Sequence, residues 1–230
     1  MQTHILITGA SRGIGAAIAA ALTSDATKIV ALSSAEGDLA DPATPAHLWQ
    51  HSLDRLDGRI DVLINNAGVF EANPLRSDDA DWFANWNRTL QINLTASADL
   101  CRRAVLHLQD RRAKGRIVNI ASRAAHRGDS HAHWHYAASK AGMVAMTKTI
   151  ARAYAADGIL GFAICPGFTM TGMADDYLAS RDGDKLLADI PLGRVAMPEE
   201  VAEIARWCAM DAPASMTGAV LDVNGASYVR

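Results

Sequence analysis

Tyr136 and Lys140 stand four positions apart in "HYAASK". They open a helical pattern, so both side chains fall on one helix face. A tyrosine titrates near ~10 in water, too high to trade protons readily at neutral pH. A neighbouring ammonium stabilises the phenolate and lowers that pKa, which turns the pair into an acid/base device. Ser122, ending "RIVNIAS", can hydrogen-bond a substrate oxygen beside the tyrosine. Just upstream, His131, His133 and His135 alternate in "HAHWH". Were that stretch extended, the three rings would point one way and could gather a metal. No fourth ligand of suitable spacing accompanies them, so no metal site is expected. They are expected in the loop joining Ser122 to Tyr136, where His133, Trp134, His135 and Arg127 either border the substrate or simply face solvent.

Side chains so placed need a rigid scaffold, and the chain has the means to build one. It has 230 residues, half of them hydrophobic and only 20% charged, which fits one well-filled α/β domain and argues against disorder. A net charge of -3 gives no electrostatic basis for nucleic acid or an anionic membrane as partner. Cys101, Cys165 and Cys208 are odd in number and lack metal-type spacing, as expected of free thiols in a reducing compartment. The N-terminus runs straight into a strand pattern with no leader signature. No apolar run approaches the ~20 residues that cross a bilayer. The expectation is a soluble, cytoplasmic protein.

Short β-branched runs at 4–8, 28–32, 61–65, 116–121, 161–165 and 219–223 read as strands buried on both faces. Helical patterns at 14–24, 79–112, 136–157 and 198–210 alternate with them. Strand–helix alternation predicts a single-domain, Rossmann-like, doubly wound parallel sheet with helices on both faces, spanning 1–230. Between the second and third strands there is room for one helix (about 43–56) and a stub of strand near Asp38 and Leu39 at most, so one βα unit is abbreviated. The irregular stretch 168–195, rich in Gly, Asp and Met, is expected to be a substrate lid.

The first strand ends in "TGASRGIGAAIAAAL", with Gly9, Gly13 and Gly15 opening a helix. A tight turn, close backbone approach and a helix N-terminus together suit a pyrophosphate. Ribose preference is set at the end of the second strand. There Ser33 and Ser34, with Arg12 from the glycine loop, suit a 2′-phosphate. NADP(H) is therefore favoured over NAD(H), although Glu36 or Asp38 could swing onto the ribose.

These motifs together resemble the short-chain dehydrogenase/reductase family, and the resemblance runs essentially end to end. "TGASRGIG" matches the cofactor loop, "NNAG" the segment under the adenine, and "LQINLTA" the helix asparagine. "IAS" with "YAASK" matches the serine, tyrosine and lysine, and "PGFTMT" the segment that receives the carboxamide. "PLGRVAMPEEVA" and "LDVNGA" match C-terminal segments, and the chain resembles the family's 3-oxoacyl-acyl-carrier-protein reductase-like members. The resemblance implies that Tyr136 is the general acid or base and that Lys140 holds the nicotinamide ribose. It implies that Ser122 polarises the reacting oxygen and that Asn93 anchors a relay water. The implied cofactor set is Thr8, Gly9, Ser11, Arg12, Gly13, Ile14, Gly15, Ser33, Ser34, Asp38, Leu39, Asn66, Ala67, Gly68, Tyr136, Lys140, Pro166, Gly167, Thr169 and Thr171. A homo-oligomer, dimer or tetramer, pairing the helices of 79–112 and 136–157 is implied as well.

The chain departs from the family in three places. It is shorter, and the loss falls after Ser34. The Ser122-to-Tyr136 spacing is one residue longer than usual, so 123–135 should bulge. Carrier-protein-dependent ketoacyl reductases carry a basic residue where Asp157 stands, although Arg111, Arg112 and Lys114 offer a basic patch. The expected activity is NADP(H)-linked interconversion of a ketone, a 3-oxoacyl thioester among the candidates, and a secondary alcohol. An NAD-dependent sugar, polyol or alcohol dehydrogenase is the alternative, and a non-catalytic cofactor sensor a further one. Elsewhere, Cys165, Trp82 and Trp86 are expected to be packing residues. Met170, Met173 and Tyr177 are expected to cover substrate from the lid, and His126 is open to either role.

Overall fold

Six parallel strands run in the order β2-β1-β3-β4-β5-β6 in the computed structural model, which describes residues 2–171 and 187–230. The strands are β1 (Thr3–Ile7), β2 (Thr27–Ala31), β3 (Val62–Asn65), β4 (Gly115–Ile120), β5 (Ile159–Pro166) and β6 (Val220–Val223). The helices are α1 (Gly13–Leu22), α2 (Thr44–Arg55), α3 (Asp79–Leu90), α4 (Ala96–Asp110), α5 (Ala124–Arg127), α6 (Trp134–Tyr154) and α7 (Pro198–Met210). After β1 the chain winds toward one edge, and from β3 onward toward the other. The carboxyl ends of β1 and β3 therefore flank the switch point, where doubly wound sheets bind ligands.

Alternate residues of the strands feed two cores. Leu6, Leu63 and Ile117 pack with Leu48 of α2 and Leu100 and Leu108 of α4. Their sequence neighbours Ile7, Ile64 and Val118 pack on the other face with Ile18 of α1 and Val201 and Ala205 of α7. Burial on both faces explains why the strands read as continuous apolar runs. The doubly wound fold is as expected.

The abbreviated unit is shorter still than its sequence suggested. No strand forms near Asp38 and Leu39; the backbone turns there, with the Asp41 N–H donating to the Asp38 carbonyl at 3.1 Å. Leu39 sinks into the core beside Ile92 instead, and its carbonyl accepts from Gln91 Nε2 at 3.3 Å. That leaves β2 as the sheet edge.

The helical run expected over 79–112 is interrupted by a π-turn at Gln91–Thr95. One extra residue in a turn leaves the apolar spacing nearly intact, so hydrophobic periodicity does not register it. Between Ser122 and Tyr136 the chain forms the short helix α5 before entering α6. Of the expected lid, residues 168–171 and 187–195 are described, and a bridge pairs Thr169 with Ala196. Met173 and Tyr177 lie outside the described residues. Cys101, Cys165 and Cys208 are free and buried. Among the described residues no helix is long and apolar enough to cross a membrane.

Candidate active site

The glycine loop is shaped by contacts that leave no room for side chains. Gly9 sits at φ +67°, and a Cβ there would lie 2.6 Å from the Ala67 Cα. A Cβ on Gly15 would lie 2.1 Å from the Gly9 carbonyl oxygen. Helix α1 has no side-chain cap, so the N–H groups of Gly13, Ile14 and Gly15 face its open end, as an anion requires. Thr8 and Asn66 lock the loop rather than decorate it. The Thr8 hydroxyl accepts from the N–H groups of Asn66 and Ala67 at 3.1 Å each. Asn66 Nδ2 donates back to the carbonyls of Thr8 and Gly9 at 3.1 and 2.9 Å. Ser11 and Arg12 remain exposed.

"PGFTMT" crosses above this loop. Gly167 donates to the Val223 carbonyl at 2.9 Å, directly after Pro166, and Thr169 is buried with its hydroxyl on the Gly167 carbonyl. The Thr171 methyl lies 3.0 Å from where a Gly13 Cβ would be. These residues fit a dinucleotide: uncapped amides at a helix N-terminus, a cradle any Cβ would fill, and a segment above it.

On the adenine side the geometry is more local. Ser33 donates from its N–H and its hydroxyl to Glu36 Oε2, at 2.7 Å each. Those bonds hold the Glu36 carboxyl below its ordinary value. The Asp38 carboxylate accepts from the Ala40 N–H at 2.9 Å, inside its own turn, and Ser34 is exposed.

The reaction side is built at the end of β4 and the start of α6. Lys140 is buried, and its Nζ donates to the Ile120 carbonyl at 2.9 Å. Nζ lies 5.9 Å from the centre of the Tyr136 ring. Burial lowers the Lys140 pKa to about 8. The Tyr136 phenol does not show the expected lowering. Close packing raises it, and a hydrogen bond with Ser122 opposes the rise only in part. Desolvation of the phenolate wins because the ammonium is turned toward Ile120. The Ser122 hydroxyl also accepts from the Ala124 N–H at 3.1 Å. Gly68 lets the β3 loop approach both groups behind it: its Cβ position is 3.2 Å from Asn93 Oδ1 and 3.4 Å from Lys140 Nζ.

Asn93, in the π-turn, is fully buried. Its amide brackets Val69, with Oδ1 accepting from the N–H at 2.8 Å and Nδ2 donating to the carbonyl at 3.0 Å. Nδ2 also reaches the Ser139 hydroxyl at 3.3 Å. The side chain is therefore committed to protein partners.

The three histidines separate. His131 is exposed, His133 stands just before α6, and His135 is buried in α6. His133 stacks on Phe70 at 4.0 Å between ring centres, 5° from parallel. Phe70 meets the Tyr136 ring edge-on at 4.7 Å, so His133 borders the tyrosine through a wall the sequence did not disclose. Trp82 and Trp86 stack together at 5.2 Å, and Trp86 reaches His135, the packing stripe their spacing suggests. Arg127, with Arg123, is paired to Asp189 just after the undescribed stretch.

The residues that sequence reasoning missed act through backbone or across the sheet. The Ile120 carbonyl positions Lys140. A buried ladder from Asn65 to Asn119 to Thr147, with 2.8 Å steps, ties β3, β4 and α6. Asn119, breaking the apolar run of "RIVNIA", was the one available signal.

A family model described as enoyl-(acyl carrier protein) reductase matches residues 9–226. The chain belongs to the short-chain dehydrogenase/reductase family, and with that membership it is an oxidoreductase. It is 37% identical to a 3-oxoacyl-[acyl-carrier-protein] reductase of Synechocystis, over 96% of this chain and 94% of that protein. It is 33% identical to an acetoacetyl-CoA reductase of Shinella zoogloeoides, over 99% of both. A crystal structure of a putative 2-deoxy-d-gluconate 3-dehydrogenase from Agrobacterium tumefaciens with bound NADP aligns at TM-score 0.86 and 27% identity, covering 99% of this chain and 97% of that one. The aldohexose dehydrogenase of Thermoplasma acidophilum aligns at 0.87 and 26%, covering 100% and 95%.

Proposed function

We propose that the protein interconverts a ketone and a secondary alcohol with NADP(H), and that 3-oxoacyl thioesters lead its substrates. The observation that carries the reading is the meeting of Ser122, Tyr136 and Lys140 beside the glycine cradle. The cofactor supplies the hydride when bound. Tyr136 gives its proton to the substrate oxygen in reduction and takes it back in oxidation. The raised phenol pKa keeps that proton in place at neutral pH. Ser122, already bonded to the phenol, orients the same oxygen. Lys140 holds the nicotinamide ribose and passes protons inward from a water at the Asn93 backbone.

NADP(H) is favoured by exposed Arg12 and Ser34, and a relative of this fold binds NADP. The Ser33–Glu36 contact supports the competing reading, NAD(H) with sugars or alcohols, because a carboxylate there repels a 2′-phosphate. Phe83, Leu106 and Trp134 on α3, α4 and α6 are 58%, 44% and 53% exposed, which supports pairing with a second copy along these helices. The described chain reads as one domain, and the described residues 168–171 and 187–195 border the proposed substrate side. The test is NADPH consumption with 3-oxoacyl thioesters and simple ketones, run beside NAD reduction with sugars and polyols. Turnover of the first group supports the proposal; turnover of the second alone replaces it.

A further inference from the structure

Three unlike donors that the proposed mechanism does not use converge beside the reaction centre. His126 comes from α5, Cys165 from β5 and Asp222 from β6, and one ligand atom of each lies within 4.8 Å of the others. Cys165 and Asp222 are register partners on adjacent strands, so the sheet fixes their separation. Cys165 Sγ and His126 Nε2 are 3.7 Å apart. Zinc–sulfur and zinc–nitrogen bonds in a tetrahedral centre place those two atoms about 3.5 Å apart. The His126 ring is oriented by parallel stacking on Tyr228, 5.7 Å between centres and 2° between planes. Arg230 engages Asp222 through Oδ2 only, from Nε at 3.0 Å and Nη2 at 2.9 Å, which leaves Oδ1 outside that pair.

We infer that His126, Cys165 and Asp222 form a binding site for a zinc-type divalent cation. Thiolate, imidazole and carboxylate are the donor set such an ion prefers. One thiolate and one carboxylate bring two negative charges to the ion, the carboxylate shared with Arg230, and the thiol proton leaves to solvent on binding. An open cleft of about 440 Å³ is lined by Asp222, Tyr228 and Arg230 among others, so the carboxylate side of the cluster faces solvent. The Ser122 N–H hydrogen-bonds the Cys165 sulfur. The cation would therefore clamp α5, β5 and β6 together against the backbone of Ser122, whose hydroxyl serves the reaction centre. Spacing along the chain gave no sign of it, because the ligands come from three separate elements.

The experiment uses untagged full-length protein, stripped with chelator and titrated with Co²⁺. The expected result is one equivalent bound, with a thiolate-to-cobalt charge-transfer band and tetrahedral visible bands, displaced by Zn²⁺. Cys165→Ala removes the charge-transfer band, while Cys101→Ala keeps it. His126→Ala weakens binding by at least the ~10-fold that loss of a supporting partner costs. Zn²⁺ raises the Tm of the unsubstituted protein and leaves that of His126→Ala unchanged. Absence of the band overturns the site, as does its survival in Cys165→Ala. Should Cys165→Ala not fold, unchanged affinity in His126→Ala overturns it equally.

Discussion

The two halves of the cofactor cleft are built differently. On the reaction side, partners come from far along the chain: Lys140 reaches the Ile120 carbonyl, Asn93 brackets Val69, and Asn119 bridges Asn65 and Thr147. On the adenine side, Ser33 binds Glu36 and Asp38 binds Ala40, both within a few residues, beside a sheet that ends at β2. Long-range bonds inside a packed core fix a geometry, whereas short-range bonds in an exposed turn rearrange at little cost. The first half suits chemistry, which needs placement. The second suits selection, where one side chain changes the outcome.

The comparison predicts steep effects near the buried half and shallow ones at the edge. Gly15→Ala drives a methyl group into the Gly9 carbonyl, 2.1 Å away. That neighbour is backbone and cannot yield without separating α1 from β1. The expected cost is about 1–3 kcal/mol of stability with loss of cofactor binding, read from the urea midpoint and from tryptophan quenching by NADPH. Unchanged binding would mean the cradle is looser than its contacts imply.

Lys140 gives a pH signature of intermediate size. Its native pKa is lowered to about 8 from 10.5, so its ammonium is present below about 8 and lost above it. The kcat/KM for reduction is expected to fall as pH rises through about 8. Stability moves the other way: between about 8 and 10.5 the unfolded chain holds the proton that the native state has released, so this residue's contribution to stability grows with pH. Urea midpoints across that window should rise more in the unsubstituted protein than in Lys140→Met. Equal slopes would remove Lys140 from both effects.

At the edge, Glu36→Gln should shift the ratio of NADPH to NADH affinity toward NADPH by about tenfold, the worth of one charged hydrogen bond. Arg12→Ala should shift it the opposite way by a similar factor. Paired fluorescence titrations read both. A ratio that ignores Glu36 would place ribose selection elsewhere than the turn after β2.

Much of this architecture was open to reading in the sequence. The strands announced themselves because both faces of each are buried. The glycine loop did so because each glycine answers a steric demand, and Tyr136 with Lys140 because helical spacing puts them together. What escaped was created by folding across distance. The π-turn at Asn93 leaves no periodic trace, and Phe70 meets His133 only because two loops converge. The direction of the Tyr136 shift depends on where Lys140 points, which spacing cannot give. The missing strand near Leu39 was anticipated as a shortening, yet only the fold shows Leu39 drawn into the core.

The central claim is that Tyr136 moves the proton while the rest of the cleft binds and places. Its most direct test is Tyr136→Phe, assayed for NADPH binding and for ketone turnover on the same preparation. The account predicts binding within about twofold of the unsubstituted protein and turnover lower by ~10²–10⁴, the range one general acid supplies. Turnover within tenfold of the unsubstituted enzyme, with binding intact, would contradict it.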